Sequence, residues 1–168
     1  MNDFAPLLGN WRTRVSYLTT GRVAEGSWTF VDALDGRAVL DEWRVGPEIG
    51  LCVRIWDERL RLWRFTFHST ATSVVIHMYA RTVRDEIVLE RAEADRLERW
   101  VFHTIQPDTF RWRSDVAYGG APWQTIQTVE AVRAARTTAD DDSPLGRTVL
   151  QLTTGSRHGA PRCCGCGV

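Results

Sequence analysis

From Trp11 to about Val132 the chain alternates apolar and polar residues with a period of two, in short runs broken by turn residues. Trp11, Thr13, Val15 and Tyr17 alternate with Arg12, Arg14 and Ser16, and similar runs follow at regular intervals. Such alternation marks strands with one buried face. Turn signals fall at Thr20-Gly21, Asp35-Gly36, Pro47-Glu48, Glu58-Arg59, Ser69–Thr72, Arg84-Asp85, Glu93–Arg96, Gln106-Pro107-Asp108 and Gly119-Gly120. Asp-Gly between apolar runs is the strongest hairpin signal of the set. About ten strands at roughly 8–12-residue spacing predict an all-β antiparallel barrel or sandwich. No βαβ alternation and no long repeat occurs. The segment Asp3–Asn10 is expected to form a short helix or lid.

Strand parity separates the two architectures. Residues opposed across an antiparallel pair share a face, so each turn length fixes which residues of the next strand point inward. With Trp11, Thr13, Val15 and Tyr17 inward, two-residue turns pair Tyr17 with Ala24 and Thr13 with Trp28. The Asp35-Gly36 turn then pairs Phe30 with Asp41 and Trp28 with Trp43, and the Pro47-Glu48 turn pairs Asp41 with Arg54 and Trp43 with Cys52. The same face continues through Trp56, Trp63 and Phe65, through Val74, Ile76 and Met78, and through Ile87, Leu89, Trp100 and Phe102. A three-residue loop at Gln106–Asp108 carries it to Phe110 and Trp112, and the Gly119-Gly120 loop to Trp123, so all eight tryptophans share it. An up-and-down barrel gives every strand an inside and removes exposed edges.

Composition narrows the function classes. The 168 residues suit one domain, and 43% hydrophobic with 25% charged residues is ordinary globular usage. A formal net charge of zero offers no electrostatic footprint for nucleic acid or an anionic membrane, and neither partner is expected. Every basic residue is arginine, as a GC-rich bacterial genome would give, and without lysine no Schiff-base mechanism is available. The N-terminus has no basic and apolar leader pattern, and no run approaches the ~20 apolar residues of a membrane helix. Cys52 falls in a strand while Cys163, Cys164 and Cys166 crowd the end, which is no disulfide framework, so a cytoplasmic home is expected. After Ala134 the pattern changes: Asp140–Gly146 reads as a linker, and residues 135–168 are expected to be a disordered tail behind a barrel domain of residues 1–134.

Leu8-Gly9-Asn10-Trp11 resembles the G-x-W opening of lipocalin-like proteins. Trp56-Asp57 before the Trp63 strand, then Ser114-Asp115 with Gly119-Gly120 and Trp123, resembles an uncharacterised family of small bacterial lipocalin-like (calycin) proteins over about residues 8–133. Alanine, valine and tyrosine separate Asp115 from the glycines, a departure from that family's closing aspartate-glycine-glycine loop. The resemblance implies a lipocalin-like barrel with a pocket and brings no catalytic residues.

On the inward face Asp41 and Arg54 are the conspicuous polar residues. One reading makes them catalytic, with Tyr17: a carboxylate base and a guanidinium that stabilises an enolate or carboxylate in a water-poor pocket. The other is a structural ion pair. Trp28, Trp43, Trp56, Trp63, Phe65, Trp100, Phe102 and Trp112, with Gln127, form either a flat-walled ligand pocket or a packed plug, and Trp11 a floor. His68, His77 and His103 fall outward unless an odd loop near Ser69–Thr72 turns His77 and Tyr79 in. The terminal cysteines with His158 lack paired zinc-ligand spacing, so neither a metal nor any other cofactor is expected. The function this predicts is a cofactor-independent cyclase, isomerase or lyase acting on a small apolar or aromatic metabolite; the alternative is a carrier with the same pocket. Leu51, Val53, Ile55, Leu60 and Leu62 gather on the outer face, and such a cluster suggests a homodimer.

Overall fold

The computed structural model describes residues 3–73 and 75–135. Within them ten antiparallel strands form a closed barrel, each paired with its sequence neighbours, and the first strand closes on the last. The strands are β1 (Gly9–Tyr17), β2 (Arg22–Ala33), β3 (Ala38–Val45), β4 (Glu48–Asp57), β5 (Leu62–Ser69), β6 (Ile76–Val83), β7 (Glu86–Glu93), β8 (Arg96–His103), β9 (Thr109–Tyr118) and β10 (Gln124–Arg133). No helix among the described residues is long and apolar enough to cross a membrane. Val74 and the whole segment from 136 onward, including the cysteine-rich end, lie outside the described residues.

The alternation seen in the sequence is the alternation of burial. In β1, Trp11, Thr13 and Val15 are buried while Arg12 and Arg14 are exposed, and β3 and β5 repeat the pattern. The Asp35-Gly36 hairpin has the register its composition predicts, with Phe30 opposite Asp41 and Trp28 opposite Trp43. Three others slide by two residues, among them the Glu58-Arg59 hairpin, where Asp57 faces Leu62 across a four-residue loop. Tyr17 faces Arg22 and Trp11 faces Trp28, because the loop after β1 holds four residues rather than two. The next turn is Gly46-Pro47, so Asp41 faces Cys52 and Trp43 faces Gly50. Gly46 takes a positive φ of 58° ahead of the proline, as a tight hairpin demands. A two-residue slide preserves every face, and the inward set survives it.

One expectation of parity fails. Between Thr125 and Gln127 the β9–β10 register shifts, a β-bulge at Ile126. The extra residue reverses the faces beyond it. Trp123 is therefore outside and 39% exposed, its ring 4.4 Å from the Arg99 guanidinium, so the tryptophans do not all share the inner face. The loop before β9 spans Thr104–Asp108, longer than the three residues expected but odd as required. His68 and His77 are exposed on the outer face, and His103 is partly buried there.

The two ends of the barrel differ. Where β1 begins, a three-residue 3-10 helix (Ala5–Leu7) crosses the opening. Phe4 and Leu7 are fully buried, and Phe4 packs edge-on against Trp63 at 5.4 Å and Phe102 at 6.2 Å. Trp11 gives its indole N–H to the Leu7 carbonyl at 2.7 Å and packs on Phe110 at 4.7 Å. Arg133 covers the Trp11 ring at 4.1 Å and donates to the carbonyls of Leu8 and Pro107, which ties β10 to the N-terminal segment. That end is plugged. The hollow lies toward the other.

Candidate functional site

A cavity of about 140 Å³ occupies the barrel toward the end where β1 finishes and β4 starts. Its walls are aromatic: Trp28 from β2, Trp43 from β3, Phe67 from β5, Trp100 and Phe102 from β8, and Trp112 from β9. Tyr17, Glu48, Cys52, Arg54 and Gln127 supply the rest of the lining. The rings meet largely edge-to-face, as in Trp28 on Trp43 at 4.8 Å and Trp100 on Trp112 at 5.7 Å, a stable geometry that holds the walls apart at fixed angles. Gly50 shapes one wall, because a Cβ there would overlap the Phe67 ring.

Arg54 forms the floor between this cavity and the plug. Its guanidinium carbon lies 4.7 Å from the Phe4 ring centre, 5.5 Å from Phe30, 5.0 Å from Phe65 and 5.8 Å from Phe102. Burial pushes its pKa down to about 9, which still leaves it charged at neutral pH. The countercharge is Asp41, which is fully buried. One carboxylate oxygen accepts from Arg54 Nη1, and the other accepts from Trp28 Nε1 at 2.5 Å. Although Cys52 and not Arg54 is the residue opposite Asp41, the diagonal neighbour two residues on is within a long side chain's reach.

The residues singled out in the sequence divide into two groups. Tyr17, Arg54, Trp28, Trp43, Trp100, Phe102, Trp112 and Gln127 come together around the cavity. Asp41, Trp56, Trp63 and Phe65 do not line it. Asp41 sits behind Arg54, while Trp63 packs on Trp56 at 5.6 Å and on Phe4, and gives its N–H to Asp3 at 3.3 Å. Phe65 lies under Arg54 and against Trp100 at 5.5 Å. Three lining residues were not anticipated there. Phe67 shares the parity of Trp63 and Phe65, which was the available signal. Glu48 reaches the lining because the turn is Gly46-Pro47, one residue earlier than Pro47-Glu48, which makes Glu48 the first residue of β4. Cys52 shares the inward parity of Arg54, and nothing further in the sequence marks it as lining.

The polar lining is held by its surroundings. Burial raises the Tyr17 pKa, an effect the neighbouring Arg22 opposes. Burial likewise raises the Cys52 thiol well above its ordinary value, so it stays protonated. Glu48 accepts from the Ser69 hydroxyl at 2.9 Å. The Trp100 indole donates to Glu98 at 2.9 Å, and Glu98 is also bridged by Arg91 and Arg96. Two lining residues keep a buried donor without an acceptor: Arg54 at Nε and Trp112 at Nε1. Among the described residues no group of three potential metal ligands occurs.

No family model matches the chain, and no curated protein matches it. Solved structures do. The chain is similar to the S-type phycobiliprotein lyase CPES from Guillardia theta at 13% identity, covering 80% of this chain and 92% of that one with a TM-score of 0.54. It is similar to Rv2717c from M. tuberculosis at 14% identity, covering 79% and 95% with a TM-score of 0.51. A protein of the DUF3598 family from Nostoc punctiforme matches at 12% identity and a TM-score of 0.51 over 77% of this chain, which spans 48% of that one. The likeness is one of fold, a small barrel in each case.

Proposed function

We propose that this protein binds a small, flat, apolar or aromatic molecule inside the barrel. The observation that carries the reading is the aromatic-walled cavity of about 140 Å³ with one charged side chain in its floor. An apolar engineered cavity of about 150 Å³ takes up benzene, whereas drug-sized ligands occupy roughly 300–1,000 Å³. The size therefore suits a single ring, or the ring-bearing end of something longer that projects through the mouth.

Binding is favoured over catalysis by the position of Asp41. A general base must reach the proton it removes. Asp41 does not line the cavity, and both its oxygens already accept hydrogen bonds. A cofactor-independent cyclase, isomerase or lyase keeps one support: Arg54, charged and shielded from water, is suited to stabilising negative charge on a carbonyl oxygen, with Tyr17 nearby on the same lining.

Four of the cavity's walls are tryptophans, so an entering ring reports itself through fluorescence. Titration with a panel of monocyclic aromatic compounds should quench or shift the emission saturably. A panel without effect, together with a crystal structure in which the lumen is filled by side chains, would remove the pocket.

A further inference from the structure

Two strand glycines, Gly26 and Gly50, have no positive φ, so what sets them apart is the missing side chain and not a special backbone. At Gly26 the nearest obstacle to a Cβ is the backbone carbonyl of Arg44, so that glycine serves the close approach of two strands. Gly50 is different. The three atoms nearest to a Cβ there all belong to one ring, that of Phe67: the Cβ would overlap Cε2 and lie 3.0 Å from Cζ and 3.5 Å from Cδ2. A side chain at position 50 and the Phe67 ring in its present place exclude each other.

Register brings the two together. Gly50 is buried and shares the inward parity of Cys52 and Arg54, which line the cavity. Phe67 stands opposite Cys52 across the β4–β5 ladder, so Gly50 is its diagonal neighbour two residues on. Trp43 stands directly opposite Gly50 on the other side. A wall position without a side chain is thus flanked by two large rings that both line the hollow. Small residues set among large ones are how a narrow barrel fits its interior. The Phe67 ring also meets Trp100 edge-on at 5.7 Å, and the sheet behind it blocks retreat. Pushed off position 50, the ring turns into the hollow or across its mouth, and either movement takes room from a ligand.

We infer that Gly50 is the residue that sets the size of the cavity: it gives the Phe67 ring a place to lie against β4, which keeps space for one aromatic ring, and Phe67 in turn limits the space to one. This rests on the binding reading above and adds the determinant of ligand size to it.

Toluene and naphthalene, one ring and two, test the assignment by NMR titration of the ¹⁵N-labelled full chain. Gly50→Ala should weaken toluene binding about tenfold or more, the scale on which an apolar pocket feels a change of one methylene. On a Phe67→Ala background the same substitution should cost toluene nothing, because the ring it collides with is gone. Phe67→Ala alone should shift the ratio of naphthalene to toluene affinity toward naphthalene by about tenfold. That ratio is read within one folded protein, so a mere loss of stability leaves it unmoved. Unchanged toluene affinity in Gly50→Ala, an equal loss with and without the Phe67 ring, or an unmoved ratio in Phe67→Ala would each overturn the inference while leaving an aromatic pocket standing. Should Gly50→Ala fail to fold, a folded double variant with the affinities of Phe67→Ala supports the inference, and an unfolded double variant beside a folded Phe67→Ala overturns it. A parent that binds neither compound removes the pocket and the inference with it.

Discussion

Sealing a guanidinium among four phenylalanine rings takes it out of water, and Asp41 is what offsets that cost. The rings contribute cation–π attraction to Arg54, and the carboxylate contributes the countercharge. Breaking such a pair leaves a lone buried charge, which costs about 3–5 kcal/mol, whereas replacing both partners with apolar residues is often close to neutral. Asp41→Asn preserves an acceptor for Trp28 Nε1 but removes the charge facing Arg54. Urea unfolding should therefore show a loss of about 3–5 kcal/mol for Asp41→Asn, and a smaller loss for Asp41→Leu combined with Arg54→Met than for the worse of those two changes alone. Additive losses in that cycle would mean that the two side chains are not a pair.

At the scale of strands and turns, Asp115 shows how the outer face fixes what happens inside. It lies on β9 beside the bulge, where Oδ1 accepts from the Thr125 hydroxyl at 2.7 Å and Oδ2 from Arg99 Nε at 2.8 Å and Arg113 Nε at 3.1 Å. Burial alone would raise its pKa, but these bonds outweigh it and hold the carboxyl below its ordinary 3.8. Ionised Asp115 thus favours the folded chain above about pH 4, and the contribution fades as pH falls through the lowered value. Asp115→Asn should melt earlier than the parent at pH 7, with the gap closing at an acid pH where the parent carboxyl has become protonated. An equal gap at both values would mean that the charge is not what matters. The bulge that Asp115 secures is also the feature that period-two alternation does not reveal. Faces were legible from Trp11 to Trp112 because period-two alternation tolerates a hairpin slide of two residues, as happened at Gly46-Pro47. A single inserted residue has no compositional mark, so Trp123 was placed on the wrong side. The plug was equally hidden, since Phe4 and Leu7 lie in a segment too short for any period to show. That Arg54 would reach the cavity and Asp41 would not was decided by register and side-chain direction, which pattern does not contain.

At the scale of the molecule, the described residues place a plug at one end of the barrel and an aromatic hollow at the other, with an outer wall between them. That wall is not uniformly polar. Leu51 is 38% exposed, Leu60 40% and Ile55 45%, with Val53 and Leu62 partly covered beside them. Val53 and Ile55 edge a shallow groove with Arg64 and Thr66, and Leu62 edges another with Tyr79, Leu97 and Trp123. Charged residues line the same grooves, among them Asp57, Glu58, Arg59 and Arg64 in the first and Arg81, Glu90 and Arg91 in the second, so the apolar surface is a set of aliphatics on β4 and the start of β5 rimmed by charge. Scattered apolar residues are normal on a surface, but a cluster of aliphatics rimmed by charged residues commonly marks a contact. A two-fold interface would place the cluster of one copy against the same cluster of another, burying on the order of 800 Å² on each when stable. Light scattering at micromolar concentration should then report a dimer, and Ile55→Asp should give a monomer with the same melting profile at high dilution and the same ligand binding, because Ile55 points away from the cavity. A monomeric parent at those concentrations would refute the dimer, and an Ile55→Asp protein that remains dimeric would place the interface elsewhere on the wall.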